Sequence, residues 1–565
     1  MNREPLSLAR CPVSRALRGL VFGIGTTMAG AVPGGEIALG PPAGQVELAG
    51  LPDFAQLEAL GARIGAIRIV NRNIFDTTNP AEDKLLFRAA NALHPRTRAR
   101  VIEAALLFRS GDAVSASRIE ETERLLRGTR YLYEVRIRPI ALRDGVVDIE
   151  VETRDAWTLD LGVGLGRSGG ANSSSVSLQE YNLLGSGIAL GIGRFSNVDR
   201  SGSEFQVSTD RAFGTWTAIA FGQASNDDGR RQVLRVVRPF HALDARWSAG
   251  FSASLDNRID PVYRAGQLVA EYRRRENLGE VFGGWSSGLV DGRVRRVSIG
   301  LQARDDAWAP EPGRVAPPSL PADATLAGPF VRLELIEDRF EKTSNLNQIG
   351  RSEFLPMGLA ASAQLGRSAG VFGADRDAWL YQGAVSRGFE PRWRHRLLAS
   401  ASISGRLSEG RVERQRLGAQ AQYYLPHDHR RLFYAALSAD LLTHPAPLDT
   451  LLLGGDNGLR GYPLRYLSGD RRVLLTLEER FYTDPYWFQL FRVGAAAFLD
   501  VGRAWGGDPV TLSDRGWVAN AGIGLRIFNV RAAFSNVVHL DIAVPLMPAD
   551  GISRVQFLVR TRASF

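Results

Sequence analysis

Cysteine and lysine are almost absent from this chain of 565 residues. The one cysteine is Cys11, and all but two of the 69 basic residues are arginine. Cys11 lies between arginines, ahead of an apolar run over residues 20–32 that contains Ala29-Gly30-Ala31, and this pattern is typical of a cleaved secretory signal. No apolar run precedes Cys11, which disfavours a lipoprotein site. Removal of residues 1–31 leaves a chain without cysteine and excludes a disulfide-stabilised fold.

Long hydrophobic runs are also lacking. After Val32 no stretch approaches the roughly 18 continuous apolar residues that a membrane-spanning helix needs. An exported chain without such a helix is periplasmic, secreted or a β-barrel of the outer membrane. Residues 32–65 are interpreted as a linker, because residues 33–50 are rich in glycine, proline and alanine. The alternative for residues 1–31 is an N-terminus that is disordered or rests on a membrane.

Clustered positive charge is missing, although the formal net charge is +9. The arginines are spread along the whole chain, whereas nucleic-acid binding favours basic residues gathered on one face. We therefore expect no nucleic-acid partner.

Convincing catalytic signatures are lacking as well. Residues 164–169 match G-x-G-x-x-G, and residues 166–170 and 284–288 match G-x-S-x-G. Alternating strands flank all three, without the helix that a pyrophosphate site or a nucleophile elbow needs. The seven histidines are scattered, with no metal-ligand spacing. We predict no catalytic residue, no metal site and no cofactor, and expect that the protein is not an enzyme.

A mixed pattern of strands and helices runs through residues 66–154. Alternating apolar residues predict strands, and apolar residues at helical spacing predict helices with one buried face. The unit is expected to be a small α+β domain. The predicted strands are 67–75, 131–140 and 146–153, with a turn at 143–145, and the predicted helices are 80–92, 97–108 and 116–127.

From residue 155 to the end, short segments alternate apolar with small or polar side chains. In residues 158–166, for example, four aliphatic residues alternate with Asp160 and three glycines. Segments of about ten residues with this alternation, separated by turns, are typical of membrane β-barrel strands. We predict a mainly β fold in which residues 155–565 form a transmembrane antiparallel barrel. The apolar runs at 268–287 are interpreted as parts of long loops.

The last residues carry a signal of their own. Residues 554–565 alternate apolar and polar side chains and stop at Phe565. A terminal phenylalanine on an amphipathic strand resembles the C-terminal signal that outer-membrane barrels present to their assembly machinery.

The sharpest local motif is Leu-Gly-Gly-Asp-Asn-Gly-Leu-Arg-Gly-Tyr-Pro at 453–463, followed by Phe-Leu-Asp-Val-Gly at 498–502. Here the chain resembles the BamA/TamA superfamily of outer-membrane assembly and secretion barrels, the bacterial surface antigen family. In that family the tip of the sixth extracellular loop folds into the barrel, and its arginine meets an acidic residue on a neighbouring strand. The residues that match the loop tip are Leu459, Arg460, Gly461 and Tyr462, and those that match the partner strand are Phe498, Asp500 and Gly502.

Two further features extend the resemblance. Residues 181–187 are similar to the family's N-x-x-G-x-G turn, and five strands are predicted after the loop, which implies sixteen strands in all. Residues 66–154 resemble a POTRA domain, the module that precedes these barrels in the periplasm. The chain departs from the family in carrying one such domain and in the extra segment at 75–95.

The alternation of residues agrees with this interpretation. In the predicted strand, Asp500 lies on the face opposite to an aliphatic face that includes Val493 and Leu499. The aliphatic face suits lipid, and the carboxylate is therefore expected to face the lumen. The alternative is a hydrated Asp500 and an Arg460 that is free in solvent.

The resemblance implies an outer-membrane protein that assists the insertion, assembly or translocation of other proteins. Implied partners are outer-membrane lipid, unfolded client proteins at the POTRA domain and at the seam between the first and last strands, and accessory assembly proteins. Two alternatives stay open: a dedicated secretion pore of the two-partner type, and a passive structural barrel.

Overall fold

The computed structural model describes residues 51–350, 352–488, 490–529, 537–547 and 551–562. The predicted signal, most of the predicted linker and Phe565 lie outside the described residues. The chain divides into two compact units. The N-terminal unit extends to Trp157 and includes Leu184–Ser186, and the second unit comprises Thr158–Leu183 and Gly187–Phe565.

The N-terminal unit is a three-stranded sheet covered by helices. Its central strand runs parallel to one neighbour and antiparallel to the other. Within the described residues, no helix of the chain is long and apolar enough to cross a membrane. The elements, in chain order, are α1 Phe54–Ala59, β1 Arg63–Arg72, α2 Leu85–Leu93, α3 Ala99–Glu103, α4 Ala116–Arg127, β2 Leu132–Arg143 and β3 Val146–Asp155.

The core of this unit forms because β3 and α4 each turn one apolar face inward. Ile149 and Val151 of β3 and Leu126 of α4 are fully buried in the same cluster. Helix α4 has the predicted bounds, whereas α2 and α3 are shorter than predicted. Helix α1 was not predicted, although Asp53 and Gln56 form a capping box at its start.

The second unit is a closed barrel of twenty strands, joined in chain order with antiparallel neighbours. Two small hairpins, β14–β15 and β21–β22, lie outside the barrel sheet. The strands are β4 Leu159–Ser168, β5 Ala171–Glu180, β6 Ile188–Ser196, β7 Ser201–Ala212, β8 Thr217–Asn226, β9 Gly229–Arg238, β10 Trp247–Arg264, β11 Gln267–Val290, β12 Arg293–Pro310, β13 Ala324–Glu337, β14 Phe340–Ser344, β15 Ser352–Pro356, β16 Ala360–Ser368, β17 Ala378–Phe389, β18 Arg396–Ser408, β19 Arg411–Pro426, β20 Arg431–Thr443, β21 Leu451–Leu453, β22 Leu467–Gly469, β23 Arg471–Trp487, β24 Phe491–Trp505, β25 Val518–Asn529, β26 Val537–Pro545 and β27 Gln556–Arg562.

The predicted number of sixteen strands is therefore wrong. The sequence predicts a loop at residues 268–287, but they belong to the 24-residue strand β11, which pairs with β10 along the whole of β10. The charged residues on this stretch mimic a loop in the sequence, but Arg274 and Glu276 bond to oppositely charged side chains of the neighbouring strand β12. The five strands predicted after residue 463 are confirmed as β23 to β27.

The two faces of the barrel differ in polarity. Outward-facing side chains are apolar and exposed, for example Leu165 at 71% and Ile523 at 63%. Inward-facing side chains are mostly polar or small, as in the alternation of buried Asp500 and Gly502 with half-buried Leu499 on β24. This is the alternation that the sequence predicts for residues 493–502.

The segment between β13 and β16 folds into the barrel as a short hairpin, β14–β15. Its bend contacts side chains on the inner face: the Tyr424 hydroxyl lies 3.1 Å from Asn347, and Arg480 donates to the Leu346 carbonyl at 2.9 Å. Leu346 and Ile349 are buried there. The hairpin therefore occupies part of the lumen.

Candidate functional site

The loop of residues 444–470, between β20 and β23, turns inward and packs against the barrel wall. Its two ends are drawn together by pairing of β21 with β22. Leu459 and Tyr462 at the tip are fully buried in an apolar cluster with Leu467, Ala504 and Val518. If the loop extended into solvent, these apolar side chains would be exposed to water and the free energy of their burial would be lost. The apolar tip therefore favours the inward position.

Two glycines make this packing sterically possible. Gly458 has a backbone φ of +145°, a conformation that residues with a side chain rarely adopt. At Gly461 a Cβ would lie 2.6 Å from the Cβ of Asn520, so only glycine lets the tip approach β25 this closely. The motif thus supplies both an unusual turn and a close contact with the wall.

Arg460 projects from the tip to Asp500 on β24. Its Nε and Nη2 donate to the two carboxylate oxygens at 2.8 and 2.7 Å, which is a bidentate pair. The Asp500 carboxylate also accepts from Thr476 at 2.9 Å and from Asn520 at 2.8 Å. Arg460 is 2% exposed and Asp500 is fully buried. The structure therefore brings together the two charged residues that the sequence singled out.

Arg460 has further partners that sequence reasoning missed. Its Nη1 donates to Glu478 on β23 at 2.8 Å and lies 3.9 Å from Asp541 on β26. Its guanidinium also lies 3.4 Å from the centre of the Phe498 ring, which accounts for the aromatic residue two positions before Asp500. Glu478 could have been found from its parity, because it alternates with the apolar residues of the strand expected beside Asp500.

The buried charges around the loop tip balance. Arg480 donates to Glu478 at 2.9 Å, and Arg526 donates to Asp541 at 2.5 Å. Among the described residues, three guanidiniums therefore face three carboxylates at the loop tip. The guanidiniums are those of Arg460, Arg480 and Arg526, and the carboxylates are those of Glu478, Asp500 and Asp541. Glu478 bonds to two of these guanidiniums and Arg460 bonds to two of the carboxylates, so the network fixes the position of the loop tip more firmly than a single pair can.

The other motif residues support the same contact. The Tyr462 hydroxyl donates to the Ala519 carbonyl at 3.0 Å. Gly502 leaves space on β24 for Leu453, since a Cβ at Gly502 would lie 2.8 Å from the Leu453 side chain. All seven motif residues thus lie at one interface between the loop and strands β24 and β25.

The base of the loop reaches the first and last barrel strands. The Gly455 carbonyl accepts from Ser168 of β4 at 2.7 Å and from Arg560 of β27. Arg560 also donates to Ser168 at 2.8 Å. Within the described part of the chain, β27 and β4 share one register pair, Val559 with Arg167. The loop therefore contacts both strands at the barrel seam as well as the wall at Asp500.

The hairpin β14–β15 is connected to the same network through Arg480. This side chain donates to Glu478 and to the Leu346 carbonyl, both at 2.9 Å. The bend itself is held by Glu353, whose carboxylate accepts from the backbone amides of Leu346, Asn347 and Gln348. Glu478 thus lies between the two segments that fold into the lumen.

Comparisons with protein families and with curated proteins find no match. Among solved structures, CdiB from Escherichia coli aligns with 89% of this chain and 76% of its own, at 14% identity and a TM-score of 0.46. BamA from Haemophilus ducreyi lacking POTRA domains 1-3 aligns with 88% of this chain and 85% of its own, at 13% identity and a TM-score of 0.38.

The FrpB iron transporter from Neisseria meningitidis reaches a comparable TM-score of 0.37, with 9% identity over 89% of this chain and 94% of its own. Similarity at this level does not assign the chain to a family.

Proposed function

We propose that this chain is an outer-membrane β-barrel that assists the insertion or assembly of other proteins, and that its seam between β4 and β27 opens to receive client strands. The observation that carries the proposal is the position of the loop, which links the wall at Asp500 to both seam strands through Gly455. The exposed apolar outer face supports placement in a membrane, because lipid tails can cover apolar side chains that water would otherwise contact.

Client binding at a seam has a simple physical basis. An unfolded strand in a membrane carries unpaired N–H and C=O groups, each of which costs several kcal/mol in hydrocarbon. An opened seam offers two strand edges with which those groups can pair. In this proposal the N-terminal unit is a periplasmic POTRA-like domain, whose own edge strands β1 and β2 can bind an extended client segment before it reaches the barrel.

Export through the lumen is the second candidate. It would require movement of both inward-folded segments, the loop of residues 444–470 and the hairpin β14–β15, with rupture of the buried ion pairs around Glu478. Opening at the seam breaks far fewer of the contacts in the described residues. This comparison favours insertion at the seam over secretion through the lumen.

A reversible lock tests the proposal. Arg167→Cys with Val559→Cys places two thiols at partnered, outward-facing positions across the seam, and Ala497→Cys with Ile523→Cys is a matched pair across β24 and β25. Oxidation of the seam pair is expected to abolish assembly of other outer-membrane proteins in a strain that depends on this chain, and a reductant is expected to restore it. The control pair is expected to have no effect.

Quantitative proteomics of the outer membrane and the medium separates the alternatives. Normal assembly with an oxidised seam contradicts opening at this site. Loss of one secreted protein alone, with an unchanged outer membrane, would instead support the secretion pore. No change in either fraction when the whole chain is depleted would support a passive structural barrel.

A further inference from the structure

A cluster of arginine and aromatic side chains lies on the barrel rim where β7, β9 and β11 end. Trp247 at the start of β10 pairs in register with Trp285 near the end of β11, and the two are 51% and 60% exposed. They share the outward face with Phe251, which is 44% exposed. Exposed tryptophans at the edge of an apolar band are typical of the boundary between hydrocarbon and lipid headgroups.

Arg238, the last residue of β9, lies on this outward face. It pairs in register with Ala249, and its guanidinium lies 4.2 Å from the Trp247 ring. In the described part of the chain Arg238 forms no ion pair with a carboxylate, and its buried Nε has no hydrogen-bond partner. The cation is therefore held by an aromatic ring, with no carboxylate among the described residues to neutralise its charge.

A second arginine, Arg211 at the end of β7, belongs to the same cluster. Its guanidinium lies 4.7 Å from the Trp216 ring, and Trp216 stacks on His241 at 4.2 Å between ring centres. Burial, with Arg238 and Arg211 nearby, lowers the pKa of His241 to about 4. The imidazole is thus neutral at pH 7, and the charge of the cluster comes from the guanidiniums.

We propose that Arg238 and Arg211, framed by Trp247 and Trp216, bind the phosphate of an anionic phospholipid in the leaflet next to this end of the barrel. The proposal rests on the membrane placement in the proposed function. A guanidinium suits a phosphate because its donors match two oxygens at once. Two cations above an apolar band fit an anionic lipid better than a zwitterionic one, whose ammonium group would be repelled.

The test is native mass spectrometry of the full chain in detergent, with phosphatidylglycerol or phosphatidylcholine added. The matched control is Arg230→Gln, because Arg230 lies on the same strand and face, roughly 26 Å away at about 3.3 Å per residue. Wild type and Arg230→Gln are expected to retain at least fivefold more phosphatidylglycerol than phosphatidylcholine. The double variant Arg211→Gln with Arg238→Gln is expected to lose this preference.

Equal retention of the two lipids by wild type, or an unchanged preference in the double variant, overturns the proposal. A stronger preference for lipopolysaccharide that depends on Arg238 also overturns it. Strands β7, β9 and β11 end on the side from which β4 begins, which is the periplasmic side in the proposed function, and lipopolysaccharide belongs to the opposite leaflet. Migration of each variant as a folded barrel in cold detergent shows that loss of binding is not loss of fold. If the protein supports client assembly but shows no preference for phosphatidylglycerol, only this inference is contradicted. If the preference is present but oxidation of the seam pair leaves client assembly unchanged, only the proposed function is contradicted.

Discussion

Arg460 is the residue on which the inward position of the loop depends most directly. It makes three charge-assisted hydrogen bonds to two carboxylates and stacks on Phe498. A buried pair is a weak stabiliser compared with apolar packing, but removal of one partner leaves an uncompensated charge and is costly. The value of the pair is thus specificity: it allows one position of the loop tip.

We predict that Arg460→Ala destabilises the barrel by about 3 to 5 kcal/mol, as expected when a fully buried ion pair loses one partner. Protease cleavage within residues 454–466 is expected to rise, because the loop tip no longer has its anchor. A double-mutant cycle with Asp500→Ala, followed by urea unfolding in detergent, is expected to show coupling above about 1 kcal/mol. Zero coupling, or unchanged cleavage, would contradict a direct anchor.

Glu478 and Glu479 offer a test with adjacent residues on opposite faces. Glu478 is 4% exposed and bonded to Arg460 and Arg480, whereas the side chain of Glu479 is 32% exposed. Glu478→Gln is expected to loosen both the loop and the hairpin, and Glu479→Gln is expected to loosen neither. Hydrogen exchange at residues 346–348 and 459–462 measures both segments. Equal protection in the two variants would show that Glu478 does not connect them.

At the scale of single elements, β3 is the central strand of the N-terminal unit and carries a buried carboxylate. Glu150 lies between Arg68 on β1 and Arg138 on β2, with a 3.0 Å bond from Arg138 Nε. Burial opposes ionisation, but the bonds from Arg138 and Arg68 outweigh it, so the pKa of Glu150 is lowered. A lowered pKa means that the ionised form stabilises the folded unit above the unfolded value of about 4.3.

The Glu150 contribution is therefore expected to be present at pH 7 and lost as the pH falls through the folded pKa. Glu150→Gln is expected to lower the melting temperature of the N-terminal unit at pH 7, with a smaller difference from wild type near pH 3. The exposed Glu120 on α4 provides the control variant Glu120→Gln. A difference between wild type and Glu150→Gln that stays constant from pH 7 to pH 3 would rule out this ionisation as its cause.

At the scale of the whole molecule, the two units have separate cores. The N-terminal core is built from its own strands and helices, and the barrel closes through its own strand ladder. Deletion of residues 66–153 is therefore expected to leave a barrel that still folds but has lost client handling. Folding is measured as a change of gel mobility on boiling, and function as assembly of other outer-membrane proteins. Wild-type assembly by the deletion variant would show that the unit has only a structural role.

The sequence alone determined the features that depend on local patterns. Alternation over about ten residues predicted a barrel, and helical spacing placed α4 at its observed bounds. The parity of Asp500 predicted a carboxylate that faces the lumen. Its contact with Arg460 was implied by the resemblance of the loop motif to a known family, and the structure places the two side chains 2.7 Å apart. The strands and α4 were predictable because the period of apolar and polar residues along a segment shows which of its side chains are buried.

Features that depend on which strands become neighbours were decided only by the tertiary structure. The charged stretch of β11 resembles a loop until β10 and β12 supply its partners. The sixteen strands were implied by the resemblance, and the pairing of all twenty is visible only in the closed sheet. Glu478 becomes part of the loop anchor because it bonds to Arg460, which is 18 residues away in the sequence. The bend of β14–β15 is held in the lumen because Arg480 bonds to Leu346, which is 134 residues away. The rim cluster around Arg238 forms because the pairing of β7 through β11 brings the ends of separate strands together. Such contacts are set by register and closure, which no single segment encodes.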